Sequence, residues 1–252
     1  MKIKFLLAAI LLNIYGLFPC LATEHFDDTE GASSSKVHYS SLAQTPLDIL
    51  NPIVNEYLSS KDIMRLYMTG DSILRRHLTN VAQSLKILLE PEMRKLSLAQ
   101  IIPSFLNLNF LEITGTLNPE SNFDVSSLVN LRTIKFSGNK ALSLLLERNL
   151  ISFPPQITRL VFNSCSLRSV PQGFFAQFRA LEDLNLSKNS LNPEVQDEIM
   201  QASNITSLNL SLNGSLEYLP ARLSNLPSLK ALDVSGIMFD WQSGIFFPYF
   251  LD

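Results

Sequence analysis

The stretch LEDLNLSKNSL at residues 181–191 carries the pattern that decides the fold. Its apolar positions are Leu181, Leu184, Leu186 and Leu191, and Asn189 lies between the last two. In an extended strand, side chains two residues apart point to the same side, so Leu184 and Leu186 face one core. The stretch predicts a short strand with one buried face, followed by a turn that brings Asn189 inward.

The same pattern recurs along the chain at regular intervals. Copies begin at 108, 131, 157, 181, 205 and 229, which are 23 to 26 residues apart. A fixed period of this length is the signature of a repeat architecture, and about three copies suffice to bury a continuous core. The pattern L-x-x-L-x-L-x-x-N-x-L resembles the unit of leucine-rich repeat proteins. The resemblance implies an α/β solenoid over residues 91–240, with short parallel strands on its concave face.

The ninth position of each repeat is expected to hold a side chain that turns inward and satisfies backbone groups of neighbouring repeats. We call these residues the ladder: Asn139, Cys165, Asn189 and Asn213. Cys165 therefore has a structural role in this interpretation. A buried free cysteine is normally inert, so we expect neither a nucleophile nor a metal ligand there.

The strand positions between the buried leucines are expected to face out on the concave side and to hold a protein ligand. They are Thr133, Lys135, Arg159, Val161, Asp183, Asn185, Ser207, Asn209, Ala231 and Asp233. Along this row the bases come first and the acids last, which favours an extended protein segment over a buried small molecule. The alternative is that these are ordinary solvated strand positions.

The first 22 residues have the layout of a signal peptide. Lys2 and Lys4 precede an apolar run at 5–12, and a small-residue exit follows at 20–22. The run is too short to span a bilayer, so we expect an exported protein with no membrane segment after removal of the signal. Lipid attachment at Cys20 is the alternative. The Ser-rich residues 23–44 read as a polar linker.

Residues 45–90 show helical apolar spacing that resembles the F-box. The matching positions include Pro46, Ile49, Leu50, Ile53, Leu58 and Ile63. The resemblance implies that these residues bind a Skp-type adaptor of a cullin ubiquitin ligase, while the repeats recruit a substrate. An exported protein of this kind would act as an effector in a host cell. The alternative is a secreted or periplasmic binding module whose helices only cap the repeats, as the aromatic residues 241–252 are expected to do at the other end.

Composition and motifs argue against the other functional classes. The formal net charge is −3, and the one dense basic patch, at residues 75–77, is expected to be the solvated end of a helix rather than a surface that binds nucleic acid. The sequence shows no metal-spaced cysteines and histidines, no glycine-rich phosphate loop, and no nucleophile that can be paired with a base. We therefore expect a non-enzymatic protein without a cofactor.

Overall fold

The computed structural model describes residues 51–52, 54–55, 59–68, 70, 72–89, 98–216 and 226–237. The chain divides into two compact units, Met1–Ser84 and Leu85–Asp252. The first is helical where it is described, and the second contains a parallel sheet.

Two helices of the helical unit have their full bounds within the described residues: α1 (Ser60–Met68) and α2 (Ser72–Val81). Ser59 and Asp62 bond reciprocally at the start of α1: each backbone N–H donates to the other's side-chain oxygen, at 3.2 Å. This pairing satisfies N–H groups that a helix start leaves free, and so fixes where α1 begins. Gly70 lies in the turn between the helices with φ +86°, a conformation that favours glycine.

Asn55 ties the segment before α1 to the end of α2. Its Nδ2 donates to the Val81 carbonyl at 2.7 Å, and its Oδ1 accepts the Gln83 N–H at 2.9 Å. One amide side chain thus satisfies two backbone groups at the C-terminal end of α2, where partners within the helix are lacking. This contact is local to the helical unit.

The second unit is built on a seven-stranded sheet in the order β1-β2-β4-β6-β7-β8-β9. The strands are β1 (Ser84–Leu88), β2 (Phe110–Thr114), β4 (Thr133–Ser137), β6 (Arg159–Asn163), β7 (Asp183–Asn185), β8 (Ser207–Asn209) and β9 (Ala231–Asp233). All pairings from β2 to β9 are parallel. A mixed α/β fold with such a sheet is compatible with leucine-rich repeats.

The register stacks equivalent repeat positions on one another. Leu160, Leu184 and Leu208 are direct partners in neighbouring strands, and all three are buried. Because side chains alternate along a strand, the residues on either side of each buried leucine lie on the opposite face of the sheet. The periodic leucines of the sequence therefore form one continuous row in the core.

The segments that return from one strand to the next are short and varied. They contain a second small parallel sheet of β3 (Phe123–Asp124) with β5 (Ile151–Ser152). Their helices are α3 (Leu98–Ile101), α4 (Leu142–Glu147) and α5 (Val195–Ile199), and 3₁₀ turns lie at Ile102–Ser104 and Phe175–Gln177. These segments close the core against the buried face of the seven-stranded sheet.

Phenylalanines fill the core between the strands and the return segments. Phe136 and Phe162 come from β4 and β6, and their rings lie 6.3 and 5.9 Å from that of Phe153, which follows β5. Phe174 and Phe178 contact the same ring at 6.0 and 6.1 Å. Edge-to-face and tilted packing of this kind adds about 0.5–1.5 kcal/mol per pair beyond area burial.

Each repeat turns at its eighth position through a left-handed residue. The six residues have φ between 55° and 105°: Gly115, Gly138, Ser164, Lys188, Leu212 and Gly236. The first five of these residues donate their N–H groups to a carbonyl at or just after the end of the next strand, as Lys188 does to Ser211 at 2.9 Å and Leu212 to Ser235 at 2.8 Å. This turn is a feature of every repeat that the leucine pattern did not predict.

β1 corrects the predicted extent of the helical module. Residues 84–88 were assigned to the helical module at 45–90, but they form a strand of the sheet in which Leu85 and Ile87 are buried. The Leu89 N–H donates to the Thr114 carbonyl at 2.8 Å, the same bond that the eighth residue makes in the other repeats. The alternation S-L-K-I-L has the period of a strand rather than a helix, which explains the difference.

Candidate functional site

The candidate site is the face of the sheet opposite the buried leucines, which we call the open face. Parallel pairing arranges its side chains in two rows across the strands. The first row is Phe110, Thr133, Arg159, Asp183, Ser207 and Ala231. The second row is Glu112, Lys135, Val161, Asn185, Asn209 and Asp233. The repeat pattern predicted every member except Phe110 and Glu112, which lie in the weakest copy of the repeat.

Four charged side chains of the open face form two lateral pairs between neighbouring strands. Lys135 Nζ lies 2.7 Å from Glu112 Oε1, and Arg159 Nε lies 3.1 Å from Asp183 Oδ2. The repeat pattern predicted bases at one end of the row and acids at the other. That expectation was wrong, because it left out Glu112 and treated each strand separately. Half-exposed pairs of this kind contribute at most about 1 kcal/mol each, but they neutralise the four charges that take part in them.

Val161 also differs from its prediction. It occupies an open-face position in register between Lys135 and Asn185, yet only 6% of it is exposed. A short branched side chain between two longer ones does not reach past them. A ligand lying on the open face would therefore meet Lys135 and Asn185 rather than Val161.

Short hydrogen bonds fix the amides of the later strands. Asn185 Oδ1 accepts the Ser187 N–H at 2.9 Å and the Ser187 hydroxyl at 2.7 Å. Asn209 Oδ1 accepts the same two groups of Ser211, at 2.9 and 2.7 Å. Each Asn-Leu-Ser triplet thus holds its amide in one orientation. Ligand binding would not have to order these side chains, which lowers the entropic cost of association.

Asp233 takes the corresponding place in the last described strand. Its carboxylate accepts the Ser235 N–H at 3.0 Å and the Asn209 Nδ2–H at 2.8 Å. These bonds, above all those from Ser235, hold the pKa of the Asp233 carboxyl below its usual value. Asp233 therefore presents a negative charge at the end of the open face at neutral pH.

Asn189 joins its own repeat to the preceding one in the interior. Its Nδ2 donates to the carbonyls of Phe162, at 2.7 Å, and Leu186, at 2.8 Å. Its Oδ1 accepts the N–H groups of Cys165, at 2.9 Å, and Leu167, at 3.1 Å. One side chain thus satisfies backbone groups that a tight turn would otherwise leave unpaired in the core.

Asn213 repeats this arrangement one repeat later. Its Nδ2 donates to the carbonyls of Leu186 and Leu210 at 3.0 and 2.8 Å, and its Oδ1 accepts the Leu191 N–H at 3.4 Å. The bonds of Asn189 and Asn213 both reach back to the preceding repeat. Both residues are buried and act on the backbone rather than on a ligand.

Cys165 and Asn139 occupy the same ladder position in the two preceding repeats. The Cys165 Sγ–H points to the carbonyls of Asn163, at 3.3 Å, and Phe136, at 3.5 Å, and burial raises the pKa of the thiol to about 11. The thiol is therefore protonated at neutral pH and unsuited to nucleophilic chemistry. Asn139 Oδ1 accepts the N–H groups of Leu117 and Ala141, whereas its buried Nδ2 has no partner among the described residues.

Most of the predicted adaptor-binding residues lie outside the described residues: Pro46, Ile49, Leu50, Ile53 and Leu58. The described one, Ile63, is 2% exposed and packs inside the helical unit, so it is not an available surface contact. The predicted signal peptide, linker and aromatic C-terminal segment also lie outside the described residues.

The described ranges contain neither a cluster of metal ligands nor a helix that could span a membrane. Within them, no group of three or more histidine, cysteine, aspartate or glutamate side chains is placed to hold a metal ion. Over the same ranges, no helix has the length and apolar character needed to cross a bilayer.

No protein-family model matches the chain, and no curated protein matches it. Among solved structures, a leucine-rich repeat protein of Leptospira interrogans is similar, with 17% identity over 66% of this chain and 69% of that chain. The TM-score of that comparison is 0.23, below the level that indicates a common fold.

Proposed function

We propose that this chain is a leucine-rich repeat protein that binds another protein on its open face and catalyses no reaction itself. The observation that carries the proposal is the register of the open face. Equivalent positions of successive repeats stand side by side and present charged, amide and hydroxyl groups. Neighbouring strands lie about 4.8 Å apart, so a segment running across them meets a new side chain at every strand.

The chemistry of the face favours a partner that is recognised by hydrogen bonds. Lys135 and Arg159 already have acidic neighbours, so a ligand need not neutralise them. Asn185 and Asn209 are held in place by Ser187 and Ser211 and are rigid hydrogen-bonding groups. An extended protein segment offers backbone and side-chain groups of matching kind.

A finer proposal concerns the helical unit and follows from its resemblance to the F-box. We propose that it docks on a Skp-type adaptor of a cullin ubiquitin ligase, and that a signal peptide exports the chain to act in a host cell. In support, α1 and α2 belong to a compact unit of their own, and the helix residues Met68 (43%) and Ile73 (53%), which flank the connecting turn, are exposed. The competing proposal is a secreted or periplasmic binding module whose helices cap the repeats.

The test of the open face is a charge exchange. Arg159→Glu alone should place two negative charges together beside Asp183 and reduce partner recovery in a pull-down or proximity-labelling experiment. The double variant Arg159→Glu with Asp183→Arg restores the pair in the opposite sense. It should remain folded but recognise the partner poorly, since the pattern of charges is reversed.

Glu194→Lys is the matched control, because Glu194 is an exposed charge in the turn before α5, away from the open face. Glu198 would be a poorer choice, since its carboxylate accepts the Gly173 N–H at 2.7 Å. If Glu194→Lys removes the partner while both open-face variants retain it, the binding surface is on the return segments instead. Co-purification of a Skp-type adaptor with the mature chain decides between the two proposals for the helical unit.

A further inference from the structure

Leu212 combines exposure with a left-handed backbone. Its φ is +57°, and 51% of the residue is exposed. The equivalent residue is glycine in three of the six repeats, at Gly115, Gly138 and Gly236. Glycine takes this conformation without strain, whereas a leucine side chain clashes with its own backbone there. A strained residue that adds little to the core is a reason to look for a function.

The following repeat leaves room for the Leu212 side chain. A Cβ at Gly236 would lie 2.5 Å from Leu212 Cδ2, closer than two carbon atoms approach. The absence of a side chain at Gly236 thus allows Leu212 to lie over the next repeat with much of its surface in solvent. Two successive repeats are matched in this way to present one apolar group.

Leu212 lies on an edge whose three middle segments each carry a base. We call it the basic edge: the residues that follow the strands at 115–119, 138–142, 164–168, 188–192 and 212–216. It contains Lys140, Arg168 and Lys188, all exposed, and its sequence has no acidic residue. The Lys188 N–H donates to the Ser211 carbonyl at 2.9 Å, so Lys188 stands beside Leu212. The Asn192 N–H bonds the Arg168 carbonyl at 2.7 Å, which places Arg168 against the repeat of Lys188.

We infer that the basic edge is a docking surface for an acidic protein segment that covers Leu212 with an apolar side chain. The inference rests on the proposed protein-binding function but assigns a second surface, separate from the open face. Charge complementarity argues for the acidic character, since these bases make no ion pair with any described residue. Three bases spread over several repeats are too sparse for the continuous phosphates of a nucleic acid.

The experiment measures binding of a fluorescent synthetic peptide, in which glutamates alternate around a central leucine, to the full mature chain. We expect binding that weakens as salt is raised, because exposed charges are screened. Leu212→Gly and Lys188→Glu should each raise the Kd about tenfold, as expected when an interface loses a central contact. Leu212→Gly should leave the unfolding temperature unchanged or higher, so loss of binding is not loss of folding.

Val129→Ser is the matched control: it removes an apolar side chain that is more exposed than Leu212 from the loop before β4, at the opposite end of the strands. It should leave the Kd unchanged. Replacing the peptide's central leucine by serine, or its glutamates by lysines, should abolish binding. Phosphatidylserine vesicles and a single-stranded oligonucleotide serve as the other anionic probes.

The inference is overturned if the acidic peptide does not bind, or if its Kd is the same for the chain with Leu212→Gly and Lys188→Glu. It is also overturned if the vesicles or the oligonucleotide bind at this edge and the peptide does not. Failure here is distinguishable from failure of the proposed function. If only the inference about the basic edge is wrong, the open-face variants still lose their partner. If only the proposed function of the open face is wrong, the peptide still binds the basic edge and the open-face variants retain their partner.

Discussion

Asn189 and Asn139 occupy the same position in two repeats, but they differ in how completely their side chains are used. Asn189 employs both ends of its amide and bonds the backbone of two repeats. Asn139 accepts two N–H groups at 3.3 and 3.2 Å, while its Nδ2 has no described partner. Between them, Cys165 fills the slot with a weak donor. Two repeats that carry the same residue at the ladder position can therefore differ in how much that residue stabilises the fold.

The largest expected effect is that of Asn189→Leu. It removes partners from the N–H groups of Cys165 and Leu167 and from the Phe162 carbonyl, all in the interior. We expect a loss of about 3–5 kcal/mol in the free energy of unfolding, measured with denaturant. Asn139→Leu is the matched control and should cost about half as much, because only two backbone groups lose a partner. Equal losses would show that the two asparagines are equivalent after all.

Alkaline pH should destabilise the protein through Cys165. Below pH 9 the thiol is protonated in both states. In the unfolded chain it titrates near 9.0, whereas burial raises its folded pKa to about 11. Between these values the unfolded state releases its proton first, so the free energy of unfolding should fall by about 2–3 kcal/mol. Urea unfolding at pH 8 and pH 11 measures this fall, and Cys165→Ala should show less of it. An identical pH dependence in the variant would contradict the assignment.

Substitution of Cys165 itself tests whether the slot prefers an amide. Cys165→Asn supplies a donor for the Phe136 carbonyl that now faces the thiol. We expect a gain of about 1 kcal/mol, whereas Cys165→Ala should lose about 1 kcal/mol through a small cavity and a lost weak bond. Thermal unfolding of the two variants beside the native chain provides the comparison. If both variants are less stable than the native chain, the packing around this ladder position favours the cysteine side chain over an amide.

The comparison between repeats extends to the turn at the eighth position, where the smallest effect is expected. Leu212→Gly relieves a left-handed conformation, but it also loosens the unfolded chain and removes contacts over Gly236. The relief of strain nearly cancels the other two effects, so we expect the free energy of unfolding to rise by less than about 1 kcal/mol. The opposite exchange, Gly236→Leu, should be clearly destabilising, because Leu212 already occupies that space.

The strands were predictable because their signal is local. Leucines two residues apart define one buried face wherever they occur, and β4, β6, β7, β8 and β9 lie at the positions that this spacing indicates. β1 was missed because its repeat begins with Ala82 rather than leucine, and because a helix directly precedes it. The leucine template therefore failed where the first apolar position was small.

The properties of the open face were less predictable, because they depend on neighbours in other strands. The pairing of Lys135 with Glu112 requires the register, and the burial of Val161 depends on the side chains in adjacent strands. The left-handed eighth position did leave a trace in the sequence. Gly115, Gly138 and Gly236 share it, although Ser164, Lys188 and Leu212 obscure the pattern.

The ladder bonds run in one direction along the chain, and this makes the effect of shortening the protein unequal at its two ends. Asn189 and Asn213 reach back, so each repeat receives its interior hydrogen bonds from the one that follows it. A truncation before residue 205 removes Asn213 and leaves the Leu191 N–H and the Leu186 carbonyl without these partners. Removal of an early repeat takes no such partner away from those that remain. Each repeat of a solenoid is stabilised only by its direct neighbours. Local unfolding should therefore begin at the later repeats and advance toward the earlier ones.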